Sequence, residues 1–190
     1  MNPSIFLSFI LSVFMIFSSC KEDDRKTGMI DEKLFYPAFT FINQELRSID
    51  SADLALFRYE TIEGREDTSI MEKTAFRQYV EAVFTPEMLL EPSRYAFQRR
   101  IFLDETIGKV TISIDAVDPG ASVKRMDMLL DPETDAINSI YMEMTSTEGQ
   151  KTVFRKLTWT AGMQWSEGIE EQNGGDTILS RLRIVWGSPQ

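Results

Sequence analysis

A two-residue period of apolar side chains recurs through the chain from residue 94 to residue 186, most clearly in residues 110–116, VTISIDA. Successive side chains of a β-strand point to opposite faces, so this period predicts strands with one apolar and one polar face. The separating segments are ETIGK, DPGAS, DPETDA, TEGQ and QNGGD. Most are rich in Gly, Pro and Asp, which favour tight turns. Short turns join neighbouring strands, so the sequence predicts an antiparallel β-meander. Ala161-Gly162 is interpreted as a bend within one long strand.

Two helical patterns come from the N-terminal half. In the first, apolar residues recur every four positions from Leu34 to Leu46, and Pro37 fits the first turn. Residues 54–62 are interpreted as a strand, and EGREDT as a turn. Ser69 and Glu72 match a capping box, which predicts that a second helix follows them. The expected fold is α+β, with two N-terminal amphipathic helices packed on a curved antiparallel β-meander sheet.

The N-terminus has the pattern of a secretion signal. Residues 5–17 are apolar apart from Ser8 and Ser12. A helix of this length rises about 20 Å, which is short of the roughly 30 Å hydrocarbon core. The length therefore favours a cleaved signal peptide over a permanent membrane anchor.

The sequence FSSC at the end of this apolar segment resembles the lipobox of bacterial lipoproteins. The resemblance implies cleavage before Cys20, attachment of diacylglycerol to its thiol, and acylation of the new amine by a chain such as palmitate. Two or more chains anchor a protein stably, whereas one does so only marginally. The charged run that follows is Lys21, Glu22, Asp23 and Asp24. It resembles the export signal of Bacteroidetes-type surface lipoproteins, which implies an outer-membrane location, with the cell surface favoured over the periplasmic face.

The expected organisation has three parts: a lipoprotein signal peptide in residues 1–19, the acylated cysteine with a polar tether in residues 20–30, and a single α+β domain in residues 31–190. The segment RMDMLLDPETDAINSIYMEM, followed by KLTWTAGMQW, also resembles small lipoproteins of unassigned function in the same bacterial group. That resemblance implies no catalytic residues.

Histidine is absent, and Cys20 is the only cysteine. These two facts exclude Ser–His and Cys–His nucleophile systems and Cys/His zinc sites. The formal net charge is −10 without a basic cluster, which disfavours nucleic-acid binding because phosphate contact needs Lys and Arg. We expect no cofactor. The expected partners are the membrane, through covalent lipid, and a protein, a glycan or an apolar ligand.

Acidic side chains offer two alternative sites. Glycoside hydrolysis needs two carboxyl groups roughly 5 to 10 Å apart, and the candidate groups are Asp104 with Glu105, and Glu167 with Glu170 and Glu171. The turn from Asp131 to Asp135 offers oxygen atoms to calcium, but it lacks the Gly and the Glu of an EF-hand and fits an Asp-capped turn better. We therefore predict no metal site.

Aromatic and methionine side chains offer a second pair of alternatives. Met126, Met128, Met142 and Met144 would either line the cavity of an apolar-ligand carrier or fill the core, and the core is favoured. Trp159 and Trp186 are assigned to the core. Trp165, flanked by Gln164 and Ser166, is expected to be partly exposed and to contact a ligand.

The predicted function is that of a non-enzymatic, membrane-anchored lipoprotein that acts by binding or as an envelope component. One alternative is a carrier of an apolar ligand in a groove between helices and sheet, which a cavity would favour. The other is a carboxylate-dependent glycoside hydrolase. Two convergent acids in a cleft, one of them strongly desolvated, would favour the hydrolase.

Overall fold

The computed structural model describes residues 33–186. Of these residues, 52% lie in β-strands, and the strands form one nine-stranded sheet. The predicted signal peptide, Cys20, the run from Lys21 to Asp24 and the tether up to residue 30 lie outside the described residues. Within residues 33–186 no helix is long and apolar enough to cross a membrane.

The elements follow one another in this order: α1 (Tyr36–Ser51), β1 (Leu56–Ile62), β2 (Arg65–Met71), α2 (Lys73–Val83), a 3₁₀ helix (Pro86–Leu90), the single helical turn α3 (Glu91–Arg94), β3 (Phe97–Asp104), β4 (Lys109–Ala116), β5 (Val123–Leu130), β6 (Ile137–Glu148), β7 (Lys151–Thr160), β8 (Gln164–Asn173) and β9 (Asp176–Val185).

The predicted α+β class with two N-terminal helices is wrong. The sheet dominates the described chain, and α2 lies in the middle of it, between strands β2 and β3. Residues 65–71, which were expected to form a turn and a helix cap, form strand β2 instead. Ser69 lies within that strand opposite Arg58, and the helix starts at Lys73 after Glu72, without a side-chain cap.

The strand order β2-β1-β9-β8-β7-β6-β5-β4-β3 is antiparallel throughout. The antiparallel sheet that the sequence predicts is therefore confirmed, and strands β3 to β9 form its meander. The predicted bend at Ala161-Gly162 is a reversal of the chain: β7 ends at Thr160, Gly162 has φ 64°, and β8 begins at Gln164. Strand β1 pairs with β9, which attaches the N-terminal hairpin beside the last strand.

Helices α1 and α2 pack on one face of the sheet, termed here the helix-side face. The ring of Phe76 in α2 lies 5.9 Å from Trp159, 6.3 Å from Trp165 and 5.6 Å from Trp186, measured between centroids. The methionines Met126, Met128 and Met142 are buried in the same core. The preference for core over carrier lining at these methionines, and the core assignment of Trp159, are confirmed.

The opposite face of the sheet is termed the open face. Directly opposed residues of paired strands share a face, and on the open face they include Tyr59 with Arg183 and Tyr141 with Thr158. This face is therefore largely polar, as the two-residue period predicts.

Candidate functional site

A buried ion pair lies on the helix-side face, next to α2. The side chain of Glu167 in β8 is 0% exposed, and Nη1 of Arg155 in β7 donates to its Oε2 at 3.1 Å. The same nitrogen lies 3.5 Å from the hydroxyl oxygen of Tyr79 in α2. The residues opposite Glu167 in the neighbouring strands are the buried Leu157 and Leu182. The three polar side chains thus connect α2 to the sheet inside an apolar surrounding.

Burial shifts the protonation of both charged groups. It raises the pKa of the Glu167 carboxyl to about 8 and lowers the pKa of the Arg155 guanidinium, because each charge loses hydration. Oε1 of Glu167 is buried and has no hydrogen-bond partner among residues 33–186. Such buried, unpartnered oxygen atoms are uncommon. This one donates a hydrogen bond when the carboxyl is protonated and accepts one when it is ionised.

Glu167 lines a groove of about 480 Å³, termed here the helix-side groove. The groove lies between β2 and α2 on one side and β8 and β9 on the other. Its apolar lining includes Met71, Ile169 and Leu182, and its charged lining includes Arg58 and Glu60. Clefts that combine apolar side chains with polar groups are candidate small-molecule sites.

Trp165, the predicted exposed ligand contact, is fully buried, so that expectation is wrong. Its ring packs against Tyr79 at 6.0 Å, Phe84 at 5.9 Å and Trp159 at 5.5 Å. The polar neighbours Gln164 and Ser166 point to the other face of β8, so they carry no information about the exposure of Trp165.

The structure does not bring Glu167 together with Glu170 or Glu171, the two acids that the sequence suggested as its partners. Glu170 lies on the face of β8 opposite to Glu167, and Glu171 lies four residues along the strand, about 13 Å away at the strand rise. Asp104 accepts backbone N–H bonds in the β3–β4 turn. The other two carboxylates of the helix-side groove are Glu60, which is held at 2.5 Å by Arg58, and the exposed Glu72 before α2.

The Asp131 turn is an Asp-capped turn. Oδ1 of Asp131 accepts from the backbone N–H groups of Glu133 and Thr134, and Oδ2 accepts from Nζ of Lys109 at 2.8 Å. These donors lower the pKa of Asp131 to about 2. Across the described part of the chain, no three His, Cys, Asp or Glu side chains converge on a metal site.

Sequence reasoning missed Arg155, Tyr79 and Glu60. A signal for Arg155 was present, since the alternation Val153, Arg155, Leu157 puts a charge on the apolar face of β7. Glu167 breaks the apolar face of β8 in the same way. Opposite charges at two core positions of consecutive strands predict a buried ion pair once those strands are known to be adjacent.

No protein-family model matches the chain, and no curated protein or solved structure shows a significant similarity to it.

Proposed function

We propose that this chain is a lipid-anchored lipoprotein of the outer membrane, displayed at the cell surface, whose nine-stranded domain binds a small ligand without chemical conversion. The observation that supports binding is the unpartnered Oε1 of Glu167 in the lining of the helix-side groove. A ligand hydroxyl or primary amide, which can both accept and donate, would satisfy this oxygen in either protonation state of the carboxyl. Its apolar part would contact Met71, Ile169 and Leu182.

Binding is favoured over catalysis because the two acids of the groove that lie on the sheet have cationic partners, while the third, Glu72, is exposed. Glu167 is paired with Arg155, and Glu60 with Arg58. Binding in the groove is also favoured over an internal apolar carrier cavity, since Met126, Met128 and Met142 are packed in the core.

The ligand site is tested by thermal-shift screening of the detergent-solubilised full chain with sugars, amino acids and short-chain alcohols. We expect Glu167→Gln to weaken binding of a hit about tenfold, or 1.4 kcal/mol, because the amide cannot reproduce the carboxyl. Glu171→Gln is the matched control, since Glu171 lies on the same face of β8 but pairs with Lys151 at 2.9 Å. Hits that bind Glu167→Gln and wild type equally would contradict the proposed site.

A second candidate function, glycoside hydrolysis, is favoured by one observation: Glu167, with its raised pKa, shares a groove with Glu60. Incubation of the protein with aryl glycosides tests for this hydrolysis directly. If the wild type releases the aryl alcohol and both Glu167→Gln and Glu60→Gln fail to release it, the function of the groove is hydrolysis and not binding.

The lipid anchor is tested by feeding radiolabelled palmitate to cells that make the protein. We expect label in the wild type and none in Cys20→Ala, because the acylated cysteine would be missing. Ser19→Ala keeps a small residue before the cysteine and should remain labelled. Equal labelling of Cys20→Ala and wild type would refute lipidation.

Surface display is tested by adding protease to intact cells. The protease should digest the domain, and protection of the domain would place it on the periplasmic face.

A further inference from the structure

The open face carries a row of charged residues whose signs alternate from strand to strand. Opposed residues on one face lie about 5 Å apart, so opposite charges stabilise neighbouring strands. The row consists of Asp115, Arg125, Glu143, Lys156, Gly168 and Arg181. The alternation stops at Gly168, where two cationic residues flank a position without a side chain.

Neither the backbone nor the packing explains a glycine at position 168. Its φ lies outside the left-handed region that favours glycine, and a Cβ there would meet no heavy atom within 4 Å. Glycine weakens the interior of a strand and often marks a position that another group approaches closely. The glycine keeps a space open between Lys156 and Arg181, where an acid would complete the row.

The cations beside this space are weakly compensated within the domain. The side chain of Lys156 is 67% exposed, and its Nζ lies 3.5 Å from Oε1 of Glu143. That oxygen also accepts from the hydroxyl of Tyr141 at 2.5 Å. The exposed side chain of Arg181 makes no ion pair or hydrogen bond with the part of the chain that the structure describes. An added anion would therefore meet an available guanidinium.

A groove of about 540 Å³ on the open face is lined by Lys156, Gly168 and Arg181, among other residues. Lys156 and Arg181 lie two strands apart, so their Cα atoms are separated by roughly 10 Å. That spacing admits one oxyanion with a charge-assisted hydrogen bond of about 2.8 Å on each side. Arg183, whose guanidinium lies 4.8 Å from the ring centroid of Tyr59, extends the cationic lining. The acids Glu60, Glu66 and Asp67 line the groove at its β1–β2 end, and the carboxyl of Glu167 points to the helix-side face. This arrangement places the anionic group at the Gly168 end.

We propose that Lys156, Gly168 and Arg181 form a binding site for the oxyanion group of a ligand, either a carboxylate or a phosphate. Lys156 and Arg181 supply the hydrogen bonds, and Gly168 supplies the space. The net charge of −10 does not cancel this local attraction, because charges beyond about 8 Å are largely screened at physiological ionic strength. Lys156 and Gly168 lie on the face opposite to the helix-side groove, whose lining Arg181 also joins. The proposal does not depend on the function proposed above.

Titration calorimetry of the full chain in detergent, with inorganic phosphate, glucuronate and glucose as probes, tests the site. We expect at least one of the two anions to bind, with glucuronate the tighter if the ligand is an acidic sugar and phosphate the tighter if it is a phosphorylated one. Arg181→Gln should weaken binding about tenfold or more. Lys151→Gln, at the end of β7, should leave it unchanged, since that lysine pairs with Glu171. Failure of both anions to bind, equal binding of glucose, or full affinity in Arg181→Gln would overturn the proposal.

Stability measurements probe the same space without a ligand. The substitution Gly168→Glu places a carboxylate between Lys156 and Arg181. Gly168→Gln adds a side chain of the same shape without the charge. We expect Gly168→Glu to melt about 2 to 4 °C above Gly168→Gln at low ionic strength, and the difference to shrink in high salt. Any effect of size acts on both variants alike. Equal melting temperatures at both ionic strengths would contradict an unfilled anion position.

Discussion

Glu91, Glu45 and Glu167 all accept hydrogen bonds within the domain, but they differ in how completely they are paired. The carboxylate of Glu91 accepts from two backbone N–H groups at the start of β5. Glu45 of α1 accepts from the indole N–H of Trp159 and from a backbone N–H in the β7–β8 turn. Both therefore tie a helix to the sheet. Glu167 differs because one of its oxygens has no partner within residues 33–186.

The raised pKa of Glu167 makes stability depend on pH. The folded pKa of about 8 lies above the unfolded value of about 4.3, so the native state binds more protons between these values. Stability must then fall as the pH rises through that interval. Glu167→Gln removes this titration. Between pH 5 and pH 9 we therefore expect the wild type to lose about 4 kcal/mol of unfolding free energy relative to the variant.

Urea unfolding at pH 5, 7 and 9 measures this shift. Glu171→Gln serves as the control, since it removes a carboxyl from the same strand and face, and its stability should follow that of the wild type across the range. A constant difference between Glu167→Gln and wild type at all three pH values would show that Glu167 does not titrate in this interval.

At the residue scale, burial was predictable wherever the two-residue period was followed strictly. Trp165 belongs with Glu167 and Ile169 on one face of β8, so the period itself predicts a tryptophan on the core side. The expectation of exposure came from the polar neighbours, which lie on the other face. The unpaired oxygen of Glu167 was not predictable, because it depends on the position of α2 over the sheet.

At the element scale, β2 was missed because its sequence, REDTSIM, is acidic and short of apolar residues. Its strand structure comes from pairing with β1 and from the turn that joins them. Glu63 and Gly64 have φ values of 48° and 80°, and Ile62 pairs with Arg65 across this two-residue turn. Two left-handed residues form a type I′ turn, which matches the twist of a hairpin.

Two substitutions in the hairpin turn are expected to change the stability of the domain in opposite directions. Glu63→Asn should stabilise the domain by roughly 0.5 to 1 kcal/mol, because Asn adopts the left-handed conformation more readily. Gly64→Ala should destabilise it by about 1 to 2 kcal/mol through backbone strain alone, since a Cβ there meets no heavy atom within 4 Å. Thermal unfolding of both variants measures the effects. Equal and opposite changes are not required, but a destabilising Glu63→Asn would contradict the I′ assignment.

At the scale of the whole molecule, the two edges of the sheet are protected unequally. Edge strand β2 carries the acids Glu66 and Asp67, whereas edge strand β3 carries Ile101, Phe102 and Leu103, each at least 50% exposed. Charged side chains on an edge discourage pairing with another chain, and exposed apolar ones favour it. Unwanted association should therefore begin at β3.

Phe102→Lys tests that expectation by light scattering during heating. We expect a higher onset temperature of aggregation than in the wild type, because a lysine blocks edge pairing. Thr68→Lys on the opposite edge adds the same charge at an exposed position of β2 and should change the onset little. Similar shifts in both variants would attribute the effect to net charge rather than to β3.

The meander from β3 to β9 was predictable because each strand pairs with its sequence neighbour across a short turn. The pairing of β1 with β9 was not, because no local pattern specifies which distant strand accepts the N-terminal hairpin. The α+β assignment failed for the same reason. It placed one strand, residues 54–62, between the two helices but missed β2, and so it missed the hairpin that β1 and β2 form.

The position of β9 also bears on synthesis. As the ribosome releases the chain, β1 and β2 emerge early, yet the strand that joins them to the remaining sheet emerges last. An isolated two-stranded hairpin is marginal in water, so the N-terminal hairpin stays without its neighbour until residues 176–185 are made. A product terminated before Asp176 would leave one flank of β1 and one flank of β8 unpaired, and we expect quality-control proteases to recognise it.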